Sequence, residues 1–315
     1  MARTLPEAPA ALGLARDEPL ARHTYLRVGG PAAYFATPPD VDALVATVTW
    51  ARSEGLPVRV IGGGSNVLVA DEGVTAVVVS LRSACGAFAF DGARVTAGAA
   101  VMLPRLAHAA AERDLGGLEF AIGIPGAVGG ALQSNAGIGD GRSIGALVES
   151  VDVLRPEPAG SGWRRLTLAA AAIRFAYRET SLRGSGDLVL AATLRLTPRP
   201  RREVEEEMRR LLEARQATQP TATPNAGSIF RNPPGDYAGR LIEAAGCKGL
   251  AAGAARVSEM HANFIVHDGR ATAADVAALM AEVQRRVRAH AGVALVPEIE
   301  WWGDGEPPAA FRAAA

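Results

Sequence analysis

Two glycine-rich segments are the first features of this sequence that could do chemistry. The first reads Ile-Gly-Gly-Gly-Ser-Asn-Val over Ile61–Val67, between two predicted strands. Consecutive glycines allow positive φ angles and close approach of the backbone, so several amide N–H groups can point at one anion. The diphosphate of a dinucleotide is the obvious ligand, and its candidate contacts are Gly62, Gly63, Gly64, Ser65 and Asn66.

The first loop lacks the fingerprint of a nicotinamide site. GxGxxG would need a glycine where Val67 stands, and no long helix is predicted to open here. A Rossmann-type dinucleotide fold is therefore not expected. A structural turn that binds nothing is the alternative interpretation of the loop.

The second segment is denser in glycine, with seven glycines between Gly116 and Gly137. Small residues make a surface on which a flat ring system or a ribityl-diphosphate could lie against backbone. The alternative is a tightly packed crossover that needs small residues. Taken with the first loop, ligand binding is favoured, with the candidate contacts Gly123, Ile124, Pro125, Gly126, Gly129 and Asn135.

Together, the two loops resemble the FAD-binding domain of the vanillyl-alcohol-oxidase-like flavoproteins. Covalent members of that superfamily often carry a histidine beside the first loop, where this chain has Ser65 and Asn66. The resemblance therefore implies FAD held without a covalent bond.

Three further segments narrow the resemblance to the UDP-N-acetylenolpyruvoylglucosamine reductase (UDP-N-acetylmuramate dehydrogenase) family: Phe175–Ser181, Asn225–Pro233 and Val296–Ile299. Supporting matches are Thr24 with Arg27–Gly30, Ala238–Glu243, Lys248–Gly249 and His261–Val266. The resemblance covers about residues 23 to 303. It implies an α+β fold in which a two-subdomain FAD-binding domain of the vanillyl-alcohol-oxidase/PCMH type precedes a smaller α/β substrate-binding domain.

The reaction implied is reduction of UDP-N-acetylglucosamine enolpyruvate to UDP-N-acetylmuramate for peptidoglycan, with NADPH as co-substrate. Hydride delivery to the terminal carbon leaves negative charge on the adjacent carbon and the carboxylate. A cation at those oxygens stabilises this charge, and losing such a group costs about 3 kcal/mol of barrier. By the resemblance the cation is Arg178, the proton donor is Ser228, and Glu298 is a neighbouring acid that assists.

Other residues follow as secondary expectations. Tyr177 and Asn232 are expected to contact substrate, Arg231 and Lys248 its diphosphate, and Arg215 the flavin or a phosphate. His261 is interpreted as structural. Only 31 residues separate Leu196 from Ser228, which resembles the shorter form of the family, without the loop whose tyrosine closes over the substrate.

Composition excludes several classes of protein. Lys+Arg and Asp+Glu are both 33, so no net field favours nucleic acid or an anionic membrane. Lys248 is the sole lysine and no GxxxxGK[ST] exists, so a P-loop site is excluded. Two cysteines are too few for a disulfide framework, and the spacing of the five histidines indicates no metal site. Ser228 lies in no G-x-S-x-G motif, which argues against a serine hydrolase.

The expected localisation is cytoplasmic and the expected state a monomer. The N-terminus is a poor secretion signal, and no apolar run approaches about 18 residues. Two alternative functions stay open: another FAD-dependent oxidase or dehydrogenase of the same superfamily, and a non-redox protein that binds UDP-sugars.

Periodicity predicts the elements that must position these residues. Predicted helices are Asp40–Glu54, Leu103–Arg113, Arg201–Gln216, Tyr237–Ala245 and Ala273–His290. Predicted strands are Val58–Ile61, Val74–Leu81, Ala87–Phe90, Val148–Leu154, Leu188–Leu196, Asn263–Val266 and Pro297–Trp301. Pro198 to Pro200 is the expected boundary, giving a loose lead-in (1–20), an FAD-binding domain (21–198), a substrate-binding domain (199–303) and a tail (304–315).

Overall fold

The helices begin where the sequence supplies caps. In the computed structural model, which describes residues 5–158 and 162–312, the Asp40 carboxylate accepts the Ala43 N–H at 2.8 Å and starts the first helix. The last helix begins with a capping box between Thr272 and Asp275. The α-helices of the described residues are α1 (Val41–Ser53), α2 (Leu103–Ala111), α3 (Val128–Ser134), α4 (Arg201–Thr218), α5 (Ala238–Ala244) and α6 (Ala273–Ala291).

Eighteen strands lie within the described residues. In chain order they are β1 (Ala15–Pro19), β2 (Pro31–Ala36), β3 (Val58–Ile61), β4 (Val67–Val69), β5 (Val74–Ser80), β6 (Phe88–Asp91), β7 (Arg94–Gly98), β8 (Leu115–Gly116), β9 (Val148–Pro156), β10 (Trp163–Ala169), β11 (Phe175–Ala176), β12 (Glu179–Thr180), β13 (Leu188–Arg195), β14 (Thr197–Pro198), β15 (Ala251–Ala252), β16 (Ala255–Val257), β17 (Ile265–Val266) and β18 (Glu300–Trp302).

The chain divides into two compact units by its internal contacts. The first unit comprises Met1–Arg16, Tyr34–Gly63 and Ala76–Ala214, and the second comprises Asp17–Ala33, Gly64–Thr75 and Arg215–Ala315. The predicted domain limits stay a prediction. Residues 1–4 and 313–315, at the ends of the predicted lead-in and tail, lie outside the described residues.

The first unit is built on an antiparallel sheet in the order β10-β9-β13-β7-β6. Val151 and Val153 of β9 are fully buried while the residue between them is not, as expected of a sheet with one covered face. In the same unit, β3 pairs with β5 in parallel, from Val58 opposite Val77.

Helix α3 lies inside the segment predicted as a glycine-rich loop. Its first turn is held by backbone bonds from Val128 N–H to Val101 O (2.9 Å) and from Gly129 N–H to Ala99 O (2.8 Å). Glycine has low helix propensity, so the sequence pattern did not predict this helix. Tertiary hydrogen bonds, rather than local preference, place it.

The second unit has its core around α6, whose Val276, Leu279, Met280, Val283 and Val287 are buried. Strand β18 pairs in parallel with β4, from Glu300 opposite Val67. The strand predicted over Pro297–Trp301 is therefore displaced toward the C-terminus, because its pairing with β4 begins at Glu300. In the predicted tail, Ala310 is fully buried and its carbonyl accepts from Gln284 Nε2 at 3.1 Å.

No described helix combines the length and the apolar composition that a membrane crossing requires.

Candidate active site

The two glycine loops touch within the first unit. A Cβ added to Gly63 would lie 2.9 Å from the Pro125 carbonyl oxygen and 3.2 Å from Met102 Cε. The backbone of the first loop therefore approaches the backbone of the second more closely than a side chain would allow. Gly63 thus lies against Pro125 and Gly126, and a Cβ added to Gly62 would lie 3.3 Å from Ala127 Cβ, as expected if both loops serve one ligand.

Gly64 opens the part of the first loop that belongs to the second unit. Its φ is +63°, and a Cβ there would lie 1.9 Å from the carbonyl oxygen of His23. Its own carbonyl accepts the Tyr25 N–H at 3.0 Å. Only glycine fits this position without displacing the segment that carries Thr24.

Thr24 has an unsatisfied hydroxyl beside this glycine. The residue is 6% exposed, and its Oγ1 has no hydrogen-bond partner among the described residues. Within the same described ranges, the Ser65 N–H also donates to no protein acceptor. Buried polar groups normally find partners, so the buried hydroxyl of Thr24 indicates a missing partner. A dinucleotide such as FAD, with its diphosphate and ribityl oxygens, fits this chemistry.

Asn66 connects the first loop to the segment of Glu298. Its Nδ2 donates to the Glu298 carbonyl at 3.1 Å, and its own carbonyl accepts the Glu300 N–H at 2.9 Å. The side chain of Asn66 thus holds backbone, and its predicted contact with a cofactor stays a prediction.

Ser228 and Glu298 lie on adjoining backbone segments of the second unit. The Glu298 N–H donates to Ile229 O at 2.8 Å, and the Arg231 N–H donates to Val296 O at 2.9 Å. Between these bonds Phe230 faces Pro297 in an antiparallel bridge. Both candidate catalytic side chains are partly exposed, so a substrate could reach them.

Arg178 lies on a tight hairpin of the first unit, between β11 and β12. It has a φ of +55°, which is uncommon for a residue with a side chain, and its guanidinium lies 5.3 Å from the centre of the Tyr177 ring. Asn135 holds the hairpin: its Nδ2 donates to Ala176 O at 3.0 Å while its Oδ1 accepts the Gly145 N–H at 3.0 Å. Asn135 directly follows α3, so the helix that begins in the second glycine-rich segment ends at a residue that contacts the hairpin of Arg178.

Two arginines of the second unit have unmet capacity for an anion. Burial lowers the pKa of Arg215, although the nearby Tyr25 acts in the opposite direction. No ion pair to Arg215 occurs in the parts of the chain that are described. The Nε of Arg231 is buried and, within the same ranges, has no hydrogen-bond partner. A phosphate would compensate either charge.

The remaining predicted contacts have mixed environments. Asn232 uses its Oδ1 to accept the Ala238 N–H at 3.0 Å, which caps α5, and Lys248 pairs with Glu243 at 2.8 Å. Tyr177 is 52% exposed. His261 accepts the Asn263 N–H at Nδ1 (3.2 Å) and contacts the Phe264 ring, consistent with the structural role predicted for it.

The second unit thus brings together Gly64, Ser65, Asn66, Ser228 and Glu298. The first unit places Gly63 against Pro125 and Gly126, and it places Asn135 against the hairpin of Arg178. Their roles as catalytic and cofactor residues stay predictions. Sequence reasoning assigned no role to Thr24 or Asn263, although both stand in segments that carry the resemblance, because no motif of catalytic or phosphate-binding type surrounds them.

Comparison with known proteins agrees with this geometry. A family model described as an FAD binding domain matches residues 32–157. A second, described as the C-terminal domain of UDP-N-acetylenolpyruvoylglucosamine reductase, matches residues 219–302.

Full-length relatives are similar to nearly the whole chain. The UDP-N-acetylenolpyruvoylglucosamine reductase 2 of Symbiobacterium thermophilum is 47% identical over 91% of this chain and 92% of its own length. The corresponding reductase of Moorella thermoacetica is 45% identical, with 92% and 93% covered. The crystal structure of the reductase from Thermus caldophilus is similar with a TM-score of 0.76 at 37% identity, covering 92% of this chain and 99% of that one. The predicted fold class is confirmed by these matches.

Proposed function

The chain belongs to the UDP-N-acetylenolpyruvoylglucosamine reductase family, and from this membership we propose how its residues share the reaction. It is an FAD-dependent oxidoreductase that reduces UDP-N-acetylglucosamine enolpyruvate to UDP-N-acetylmuramate, with NADPH as co-substrate, for peptidoglycan synthesis. This conclusion rests on the 47% sequence identity to the reductase of Symbiobacterium thermophilum, over 91% of this chain and 92% of that protein.

FAD, when bound, supplies the capacity to accept hydride from NADPH and pass it to the enolpyruvyl group. The amide of Ser65, the hydroxyl of Thr24 and the guanidinium of Arg215 would hold its oxygens. Support comes from the unsatisfied donors of the first two and from the burial of the third without an ionic partner. Ser65 and Asn66 offer no histidine for a covalent link, which supports non-covalent binding.

Arg178 is proposed to bind the substrate carboxylate and to stabilise the negative charge that develops there. A guanidinium stays charged at any working pH and can donate two parallel bonds to a carboxylate. Its placement on a hairpin held by Asn135 supports this role, because a fixed backbone reduces the reorganisation needed as charge develops.

Ser228 is proposed to give its Oγ proton to the substrate carbon next to the carboxylate, and Glu298 to assist this protonation. The bond from Glu298 N–H to Ile229 O supports the pairing, since it holds the two residues on adjoining segments. Arg231 and Lys248 are proposed to bind the diphosphate of the substrate, and Asn232 and Tyr177 its other groups. The unsatisfied Nε of Arg231 supports the first of these contacts.

A cytoplasmic location and a monomeric state are part of the same proposal. The short connection before Ser228 resembles the shorter form of the family.

The function is tested by the visible spectrum of the purified protein, followed by NADPH oxidation with and without the enolpyruvyl sugar nucleotide. Flavin bands and substrate-dependent oxidation are expected. Fast reoxidation by oxygen, with none by the sugar nucleotide, would instead indicate an oxidase of the superfamily. A colourless protein that stays colourless after FAD addition would indicate a non-redox binding protein.

Replacing Ser228 by alanine should separate the two half-reactions. NADPH should still bleach the flavin of Ser228→Ala, while reoxidation by the enolpyruvyl substrate slows by about 10²- to 10⁴-fold, the usual contribution of a positioned general acid. Stopped-flow absorbance measures both steps. Ser53→Ala, at the end of α1, is the control. Equal loss of both steps would contradict the assigned role.

A further inference from the structure

A buried amide holds the backbone segment that follows Ser228. Asn263 is 3% exposed, and its side chain makes two hydrogen bonds to the backbone of Phe230. Its Oδ1 accepts the Phe230 N–H at 2.9 Å, and its Nδ2 donates to Phe230 O at 2.8 Å. The backbone carbonyl of Asn263 also accepts the Ile229 N–H at 2.9 Å. One residue thus pairs with three backbone groups immediately after Ser228.

A primary amide can make both of these side-chain bonds at once, whatever the pH. The partners are one donor and one acceptor, so the carboxamide needs its oxygen on the N–H and its nitrogen on the carbonyl. An alkyl side chain would leave two buried backbone groups of Phe230 unpaired, which proteins rarely tolerate. A carboxylate would keep the first bond and place an acceptor against the Phe230 carbonyl.

The opposite edge of the same segment is paired with the segment of Glu298. Ile229 O accepts the Glu298 N–H, and the Arg231 N–H donates to Val296 O. The stretch from Ile229 to Arg231 is therefore held between Asn263 on one side and the Glu298 segment on the other. A shift of this stretch would move Ser228 and would also change its distance from Glu298.

We propose that Asn263 is a positioning residue that fixes Ser228 for delivery of its proton to the substrate carbon. This inference rests on the proposed function. Proton transfer to carbon demands close placement of the donor, and a displacement of about 1 Å can cost about 100-fold in rate. Asn263 acts indirectly, through its two hydrogen bonds to the backbone of Phe230.

Two substitutions test the proposal, each followed by stopped-flow measurement of both half-reactions. Asn263→Leu should lower reoxidation by the enolpyruvyl substrate by about 100-fold while flavin reduction by NADPH changes little. Asn263→Asp should be impaired at about pH 8 and recover, relative to wild type, toward about pH 6, because a buried carboxyl with a raised pKa becomes protonated and can donate to Phe230 O. Stability lost through an ionised buried carboxylate would also recover on protonation, but it would affect both half-reactions, whereas a positioning defect and its rescue are confined to reoxidation by the substrate.

Thr272→Ala is the matched control. It removes a cap of α6 in the same unit but leaves the contacts of the segment that follows Ser228 unchanged. It should leave the ratio of the two half-reactions unchanged. If Asn263→Leu does not fold, Asn263→Asp alone decides. Equal loss of both half-reactions, or an Asn263→Asp defect that is the same at every pH, would overturn the proposal. Failure of the proposed function would be seen separately, as wild-type protein whose flavin is not reoxidised by the substrate.

Discussion

At the scale of single residues, asparagines do much of the positioning. Asn66 bonds to the carbonyl of Glu298, and Asn135 bonds to the hairpin of Arg178. Asn263 bonds to the backbone of Phe230, two residues after Ser228. Each uses a neutral amide to hold backbone next to a candidate catalytic side chain. An amide adds no charge that would compete with the substrate carboxylate or change the pKa of a catalytic group. The backbone next to each of the three candidate catalytic side chains is therefore held by a side-chain amide.

His261 should make the protein less stable in mild acid. Burial lowers its pKa below the ordinary 6.5, and its Nδ1 accepts the Asn263 N–H as only a neutral ring can. The unfolded chain binds the proton more readily, so the stabilisation is complete above about pH 6.5 and is lost as pH falls from there toward the depressed pKa. Urea unfolding at about pH 7.5 and about pH 5.5 should show a smaller difference for His261→Gln than for wild type. The exposed His290→Gln is the control, and an unchanged pH difference in His261→Gln would contradict the assignment.

The sequence could predict the candidate catalytic residues, but not the residues that hold the backbone beside them. Arg178, Ser228 and Glu298 follow from short, ordered segments that resemble the reductase family. The bonds from Asn263 to Phe230 span 33 positions, and no local pattern predicts a contact of that length. The cofactor contacts predicted for Asn66 and Asn135 stay predictions, and in this structure the side chains of both residues hold backbone.

At the scale of elements, prediction succeeded where local signals were strong. Helices α1, α2, α4, α5 and α6 lie where periodicity and caps indicate. Helix α3 was missed because Gly129 and Gly130 conceal it, and β18 was displaced because its pairing with β4 decides where the strand begins. Elements fixed by distant partners are the ones that a single sequence does not reveal.

Helix α6 should lose stability when its distant cap is removed. The carboxylate of Asp71 accepts the N–H groups of Ala273 and Ala274 at 2.8 and 2.9 Å, in addition to the local cap by Thr272. We expect Asp71→Ala to lower the free energy of unfolding by about 1 kcal/mol, the usual value for a helix cap. Chemical denaturation measures this, and Asp71→Asn should keep part of the effect. No change in Asp71→Ala would mean that solvent replaces the carboxylate without cost.

At the scale of the whole molecule, charge and composition limited the function without identifying it. Equal numbers of acidic and basic residues give no net field that would favour binding to a polyanion, and the absence of a GxxxxGK[ST] motif around the sole lysine excludes a P-loop. The division into two discontinuous units could not be predicted, because it depends on pairings between segments near both ends of the chain.

Removal of FAD should lower the thermal stability of the protein. A ligand that binds only the native state adds about 2.7 kcal/mol at a concentration of 100 times its dissociation constant. We therefore expect the midpoint of thermal unfolding of the apoprotein to rise steadily with added FAD. Riboflavin, which lacks the diphosphate proposed to lie against the glycine loops, is the control and should give a smaller shift. Equal shifts would show that the diphosphate contributes nothing.

The parallel pairing of β4 with β18 has a consequence for biosynthesis. Asn66 and Glu298 are 232 positions apart, so the ribosome must add most of the polypeptide before β4 can meet its partner. At roughly 5–20 residues per second, that interval lasts roughly ten to fifty seconds. During it Leu68, fully buried in the finished protein, stays available to chaperones and to neighbouring nascent chains. Premature termination ahead of β18 would therefore leave a long product with an open strand edge and a marked tendency to aggregate.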